Sequence, residues 1–486
     1  MTTAPSPIVA FCSRHYALLA TAVLGLAAFN LAFRLGSEVV SEWDESMYAI
    51  SAWEMGKTGH LVATTFLGAL DYYNTKPPLN VWLIALSFKA FGMSIVSLRL
   101  VSAMSAWLTV AVLQGWARRA FGPAIALFAG LVLATSFGFV YVHSGRTAET
   151  DALFTLLILL TVLALWAEEQ QPWHRVWLGP LAAAVFLLRG MAVLMPLAII
   201  LAVLVGRKGT PRNRWLPTMS AVVLFLAPVG AWAVARWRVD QWKFFERMFD
   251  YDFMARSLTV IEDHPGTPLY YVNILQKHQY DWLVAGAAAL LLFPIPWQRL
   301  RERVIPFWHG DDGLGVLLGS WAAITFLIPT AMRTKVPWYL DPFYPVFALG
   351  IAWSLVRGLS QDWGGPLRRR YQILGAVIVL ALGVAEGKLL WYSFHYRDLS
   401  DSAQGLLLQE ERRLTKRRVF KNHWDRAEIF VVGGVLGAER RSADHGDNFW
   451  RESRPGDCLI STRRLSDPGL VLVRSGRHHA LYCRAE

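Results

Sequence analysis

SEWDESMYAISAWEMGKTGHLVATTFLGALDYYNTKPPLNVWLIALSFKAF, from Ser41 to Phe91, decides how the rest of the chain is read. It follows an apolar run, Tyr16 to Leu35, of about 20 residues, the length that crosses roughly 30 Å of hydrocarbon as a helix. Asp44 and Glu45 therefore stand where that segment leaves the bilayer. Lys76 precedes Pro77 and Pro78, just before the chain returns to apolar sequence. Ionised groups held at a bilayer are costly and are read first as functional. The two prolines make the presentation of Lys76 rigid, because proline fixes its own φ and restricts the residue before it.

Working outward, composition sets the class. The 486 residues are 54% hydrophobic and 17% charged, with 22 tryptophans, against about 25% charged in a soluble domain. With a mean hydropathy of +0.34, the expected fold is a polytopic α-helical membrane protein. The net charge of +12 is dispersed in short clusters between apolar runs, which is the pattern of loop anchors and excludes a nucleic-acid-binding stripe. Cys12, Cys458 and Cys483 are too few for a disulfide framework or a thiolate cluster. Cys458 and Cys483 pair if the tail lies in an oxidising compartment and stay separate thiols in the cytosol.

Pro78 to Phe91, about 14 apolar residues, is in the range of a re-entrant or interfacial segment. Reading it as non-spanning gives about 11 spans and places Arg118-Arg119, Arg207 to Arg214 and Arg299 to Arg303 on one side, the cytoplasmic one by the positive-inside rule. The Glu168 to Arg175 turn falls on that side too. Val176 to Leu188 and Met191 to Val205 form a hairpin with Arg189-Gly190 at its outer tip. The membrane domain is residues 1–392, with outer loops at 41–97 and 236–280. Residues 393–486 read as a small soluble α/β domain on the periplasmic side. Glu410 to Lys421 is its helix, and Ile429 to Val432, Cys458 to Thr462, Leu470 to Val473 and Leu481 to Arg484 are its strands.

The chemistry gathers on the other face. Carboxylates beside cations can act as a general base next to an anion clamp, the base taking a proton from an acceptor while Lys and Arg stabilise a leaving phosphate. The candidate catalytic carboxylates are Asp44, Glu45 and Asp151, and the candidate phosphate ligands are Lys76, Arg146, Arg189, Arg256 and Lys335. Tyr48, Tyr73, His264, Trp338 and Tyr339 are candidates to line the substrate. His264, in Asp263-His264-Pro265-Gly266, can join Asp44 or Asp151 around a divalent ion, but no tight ligand spacing is present and no cofactor is required.

WDESMYAISAWEMGKTGHLV, YYNTKPPLNVWLIALSFKAFG, RLVSAM, ATSFGFVYVHSGRTAETDALF and TKVPWYLDPFYPVFAL follow one another between Trp43 and Ala348. In that order they resemble the polyprenyl-phosphate-dependent GT-C glycosyltransferases, nearest the protein O-mannosyltransferase-related enzymes and the ArnT-like aminoarabinose transferases of lipid A. The resemblance implies an inverting transfer of a sugar from an undecaprenyl-type phosphate to a lipid, glycan or protein acceptor on the periplasmic face of the bacterial inner membrane. It puts Asp44 on the family's catalytic acid residue, Lys76 on the lysine before paired prolines, Arg146 and Asp151 on the second-loop pair, and Lys335 on the basic residue before the late aromatic motif. Two positions depart. Thr75 stands where related transferases carry an acidic residue, and Arg189-Gly190-Met191 stands where they carry Lys-Gly-Pro.

Two other classes compete. A secondary transporter or flippase would place ionisable residues near mid-membrane and show repeats, whereas these charges sit at span ends. A membrane scaffold predicts that the outer carboxylates are dispensable. The expected state is a monomer surrounded by membrane lipids.

Overall fold

The computed structural model describes residues 6–207, 214–295, 313–360, 367–396, 398–443 and 447–485. Among them seven helices are long and apolar enough to cross a membrane, or eight if the bent pair Pro7–Arg14 and Tyr16–Ala32 is one span. The Tyr270–Leu292 helix adds a less apolar rod that carries Lys277, His278 and Asp281 and breaks at Gln279, whose side chain turns to bond Ser136. The stretches expected to span are helical over most of their described length, but the first ends at Ala32, Ile125 to Val142 breaks at Thr135 and Ser136 between Pro123–Ala134 and Phe137–Tyr141, and the stretch from Trp282 ends its helix at Leu292.

Ion pairs at the helix ends fix the direction of the rods. The Asp151–Gln170 helix holds Arg189 at its first residue and Arg175, Arg214 and Arg207 at Glu168 and Glu169 near its last. A chain that touches one end at 175, the other at 189 and the first again at 207 is a hairpin, with Arg189-Gly190 at the tip. The same pairs place the Glu168 to Arg175 turn beside the arginines at 207 and 214. Arg118 stacks on Tyr16 at that end too, and Val356 packs with Cys12 and Ala124 just before Arg357. The described arginine clusters thus share one end of the bundle, and Asp44 and Asp151 lie at the other. Lys208, Arg212 and the Arg299 to Arg303 cluster lie outside the described residues.

Leu79–Phe91 is a 13-residue helix, too short to span. It packs between the Asp44–Thr58 helix and the C-terminal domain, with Phe88 stacked on Phe430 at 5.7 Å, as a non-spanning segment should.

Beyond the Arg368–His395 helix the chain forms the C-terminal domain. Two two-residue strands, β1 (Thr65–Phe66) and β2 (Ala69–Leu70), form a hairpin in the first loop. The C-terminal sheet contains β3 (Arg418–Lys421), β4 (Glu439–Ser442), β5 (Cys458–Ser461), β6 (Leu470–Ser475) and β7 (Ala480–Arg484), in the order β4-β3-β5-β7-β6. Cys458 and Cys483 are register partners on β5 and β7 and form a disulfide.

Two expectations here are corrected. Ile429 to Val432 is not a strand but part of a helix, Arg426–Phe430, continued by a wider turn to Val435. The Asp425 and Glu428 side chains close a capping box at its start, and this local signal overrides β-branched composition. Glu410 to Lys421 is helical only over Glu411–Leu414. Lys416 takes a left-handed φ of 61°, and β3 follows with Val419 and Phe420 buried. The domain shares one apolar core with the Asp44–Thr58 and Leu79–Phe91 helices, which includes Tyr48, Ile50, Val81 and Phe88 together with Val419, Phe430 and Leu481.

Candidate active site

Asp44 opens the Asp44–Thr58 helix, where a carboxylate faces the positive end of the dipole. Its partner comes from the loop after β2. The Asp71 carboxylate accepts from the N–H groups of Tyr73 and Asn74, and the Asn74 side chain accepts from the Lys76 N–H. The curled loop, stopped by Pro77, delivers Lys76 Nζ to Asp44 Oδ2 at 3.2 Å. Burial alone would raise the Asp44 carboxyl, but the Lys76, His143 and Arg256 charges and the Lys76 hydrogen bond outweigh it and hold it at about 2.

A second wall comes from the hairpin tip and the loop before the Asp151–Gln170 helix. Arg189 donates to Asp151 at 2.5 Å. Gly190 turns the tip at a φ of 53°, where any other residue would be strained, and a Cβ there would also push on the Met248 sulfur 2.8 Å away. His143, itself at a left-handed φ of 60°, lies 3.5 Å from both Glu149 and Asp151 and stacks on Trp338 with centroids 3.9 Å apart. The third wall is Asp252 and Arg256. Asp252 accepts from Thr75 at 2.5 Å and from Arg256 at 3.1 Å, and Arg256 also reaches the Tyr339 hydroxyl at 3.2 Å.

These walls enclose a cavity of about 790 Å³. Its lining includes Asp44, Lys76, Asp151, Arg189 and Arg256 together with the apolar Met191, Leu194, Met195, Ile328 and Met332. Tyr73, His264, Trp338 and Tyr339 are also on its wall.

Four candidates are elsewhere. Glu45 is fully buried, bonded through both oxygens to Arg99 and to the N–H groups of Ser41 and Ala148. Arg146 is fully buried on Glu38 and the carbonyls of Asn30 and Phe33. Lys335 points its ammonium at the carbonyls of Thr330 and Met332, closing the end of the Leu314–Ala331 helix. Tyr48 is buried beneath Lys76, whose ammonium is 5.5 Å from its ring centroid. In each case the polar group is consumed by protein partners or shut away from the cavity. The structure adds His143, Glu149, Asp252 and Glu262. Glu149 was legible as a carboxylate in the ATSFGFVYVHSGRTAETDALF motif, and Asp252 with Arg256 by the i, i+4 spacing of facing helix residues.

Among the described residues the group that brings three ligand atoms within 4.8 Å of one another is Asp44, His143 and Glu149, without His264. The fit to a divalent ion is poor, because the Lys76 ammonium already neutralises Asp44 and His143 stands between two carboxylates. Glu149 is 2% exposed and its Oε1 has no hydrogen-bond partner. Burial raises its carboxyl, His143 opposes this, and the Asp44 and Glu45 charges add to it, leaving it at about 8.

A carboxyl raised in the folded state stabilises the fold fully below its unfolded value of about 4.3, and that stability is lost as pH rises toward 8. Glu149→Gln should therefore flatten the fall in melting temperature between pH 5 and 8 in detergent. An unchanged slope would remove the buried, protonated Glu149 from the account.

Residues 75–232 match the family model described as dolichyl-phosphate-mannose-protein mannosyltransferase. The chain is 30% identical over 370 residues to the undecaprenyl phosphate-alpha-4-amino-4-deoxy-L-arabinose arabinosyl transferase of Pseudomonas savastanoi pv. phaseolicola, covering 74% of this chain and 65% of that one. A second transferase of that name, from Pseudomonas fluorescens, is 27% identical, covering 71% and 61%. The chain thus spans under two thirds of the length of either relative. In three dimensions it superposes on ArnT from Cupriavidus metallidurans bound to undecaprenyl phosphate with a TM-score of 0.69 and 17% identity, covering 97% of this chain and 98% of that one. At that identity the likeness is one of fold.

Proposed function

We infer, from the premise that the chain belongs to the ArnT-like family of GT-C membrane glycosyltransferases, that it moves a sugar from an undecaprenyl-type phosphate to an acceptor hydroxyl with inversion. The observation that carries this is the Asp44 and Lys76 pair opening on a cavity lined both by cations and by apolar side chains. The apolar lining, with Met191, Leu194 and Met195 from the hairpin and Ile328 and Met332 from the end of the Leu314–Ala331 helix, suits a prenyl chain. Lys76, Arg189 and Arg256 converge on the cavity and can meet the charge that develops on a departing phosphate. Asp44 serves as the base that takes the acceptor proton. With these three cations in place the transfer needs no further cofactor.

The acceptor is a lipid, glycan or protein, and the cavity end of the bundle faces the periplasm of the bacterial inner membrane. The separation of Asp44 from the described arginine clusters supports that orientation. Purified protein in lipid nanodiscs, given undecaprenyl-phosphate sugars, should release undecaprenyl phosphate and bind that lipid when added alone. Neither release nor binding across the sugars offered would sink the proposal.

A further inference from the structure

Sugar transfer from a phosphate to a hydroxyl leaves a proton to be placed. The acceptor O–H bond and the bond from the anomeric carbon to the phosphate oxygen break, the acceptor oxygen bonds that carbon, and the leaving phosphate gains negative charge. Asp44 takes the proton, while Lys76, Arg189 and Arg256 are the cations on the cavity wall that can meet the phosphate. None of the three suits the task of giving a proton to the leaving oxygen. A guanidinium does not deprotonate in a protein. Burial works against the Lys76 charge, but Asp44 outweighs it and raises the ammonium well above its ordinary value.

The His143 ring joins the base to the cations. It lies on the cavity wall and offers a nitrogen within 4.8 Å of carboxylate oxygens of both Asp44 and Glu149. Its Nε2 is 3.5 Å from Glu149 and its Nδ1 is 3.5 Å from Asp151, whose other oxygen accepts from Arg189. At that distance neither contact is a settled hydrogen bond, and Nδ1 and Glu149 Oε1 have no hydrogen-bond partner. Trp338 covers one ring face, 11° from parallel, which leaves the nitrogens at the ring edge. The carboxylates facing the ring are Asp44, Glu149 and Asp151. Beyond them Lys76 and Arg256 act on Asp44, and Arg189 and Asp341 act on Asp151. Burial works against a charged ring, but Glu149, Asp151 and Asp44 outweigh it and raise His143 above its ordinary value.

Building on the glycosyltransferase reading above, we propose that His143 is a second catalytic residue, the general acid for the departing phosphate. As the anomeric C–O bond breaks, a ring N–H passes its proton to the leaving oxygen. Asp44, having taken the acceptor's proton, returns that proton to the ring. The net transfer is from acceptor hydroxyl to phosphate, so undecaprenyl phosphate departs as its monoanion and both residues are restored. Glu149, 2% exposed, is a positioning residue that holds the ring between base and phosphate.

The test follows turnover of an undecaprenyl-phosphate sugar against pH with the full chain in nanodiscs, and binding of undecaprenyl phosphate alongside. His143→Gln should lose about 10²-fold or more in turnover, the scale of general-acid assistance, while undecaprenyl phosphate still binds. In the unmodified protein turnover should fall as pH rises through the His143 titration, because only the protonated ring donates. His143→Gln should lack that alkaline limb. Glu149→Gln removes one carboxylate that raises the ring, so it should keep the limb and move it to lower pH. A ring that only packs on Trp338 would leave the limb unmoved in both variants. An unmodified protein without the limb, a His143→Gln protein that retains it, or a Glu149→Gln protein that loses it would each overturn the proposal, and the first needs no variant to fold. Failure of the glycosyltransferase reading is distinguishable, because there the unmodified protein would neither turn over the sugar donor nor bind undecaprenyl phosphate.

Discussion

Asp44→Asn should lower turnover by roughly 10²- to 10⁴-fold, the range that general-base assistance supplies, while undecaprenyl phosphate still binds. The amide keeps the shape of the side chain and one acceptor for Lys76 but cannot take a proton. In the free protein the carboxyl is held at about 2, too low for an effective base near neutral pH. Much of that depression comes from Lys76, 3.2 Å away. A donor phosphate beside Lys76 would draw the ammonium off Asp44, and the carboxyl would rise toward its ordinary value as substrate arrives. On the proposed mechanism Asp44 would thus be a weak base when the site is empty and a stronger one when the donor is bound.

The same coupling fixes a pH dependence. A depressed carboxyl stabilises the fold above its unfolded value of about 3.9, and that contribution is lost as pH falls toward 2, so Asp44→Asn should reduce acid sensitivity in that window. Turnover is read as undecaprenyl phosphate released per folded molecule. If Asp44→Asn worked at the unmodified rate, Asp44 would be a capping residue that holds Lys76.

Much of the site was legible because its parts are local. Trp43-Asp44-Glu45 follows an apolar run, Lys76 precedes two prolines, and Arg189-Gly190 interrupts apolar sequence; each is a feature of a few residues. The hidden information was which of two adjacent groups turns inward. Asp44 and Glu45 differ by one helical step of about 100°, enough to put one in the cavity and the other against Arg99. Arg146 and Arg189 looked equivalent as outer cations, yet Glu38 claims the first and Asp151 the second, across 108 and 38 residues of chain. Pairings of that kind carry no local signal. Ile429 to Val432 failed for a different reason, since the four residues of the capping box at Asp425 and Glu428 outweighed the β-branched run that follows them.

Glu45 and Arg99 make the second large prediction, and it separates structure from catalysis at neighbouring positions. Arg99 donates to both Glu45 oxygens, at 2.7 and 3.0 Å, and also to the carbonyls of Leu35, Glu38 and Val39. It thereby ties the Ile95–Phe121 helix to the loop that leads into Asp44. Removing one partner of such a pair leaves an uncompensated charge in a dry interior, at a cost of about 3 to 5 kcal/mol. Arg99→Met should cost more than Glu45→Gln, because it strands three carbonyls as well as the Glu45 carboxylate, whereas in Glu45→Gln the guanidinium keeps those carbonyls and gains the amide oxygen as an acceptor. The double variant Glu45→Leu with Arg99→Met should recover part of the loss, since no ion then remains unpaired. Unfolding in detergent gives the stabilities, and turnover per folded molecule should stay within about threefold of the unmodified protein in Glu45→Gln, because this carboxylate never meets substrate. A Glu45→Gln protein that melted normally yet released no undecaprenyl phosphate would move the catalytic role from Asp44 to its neighbour.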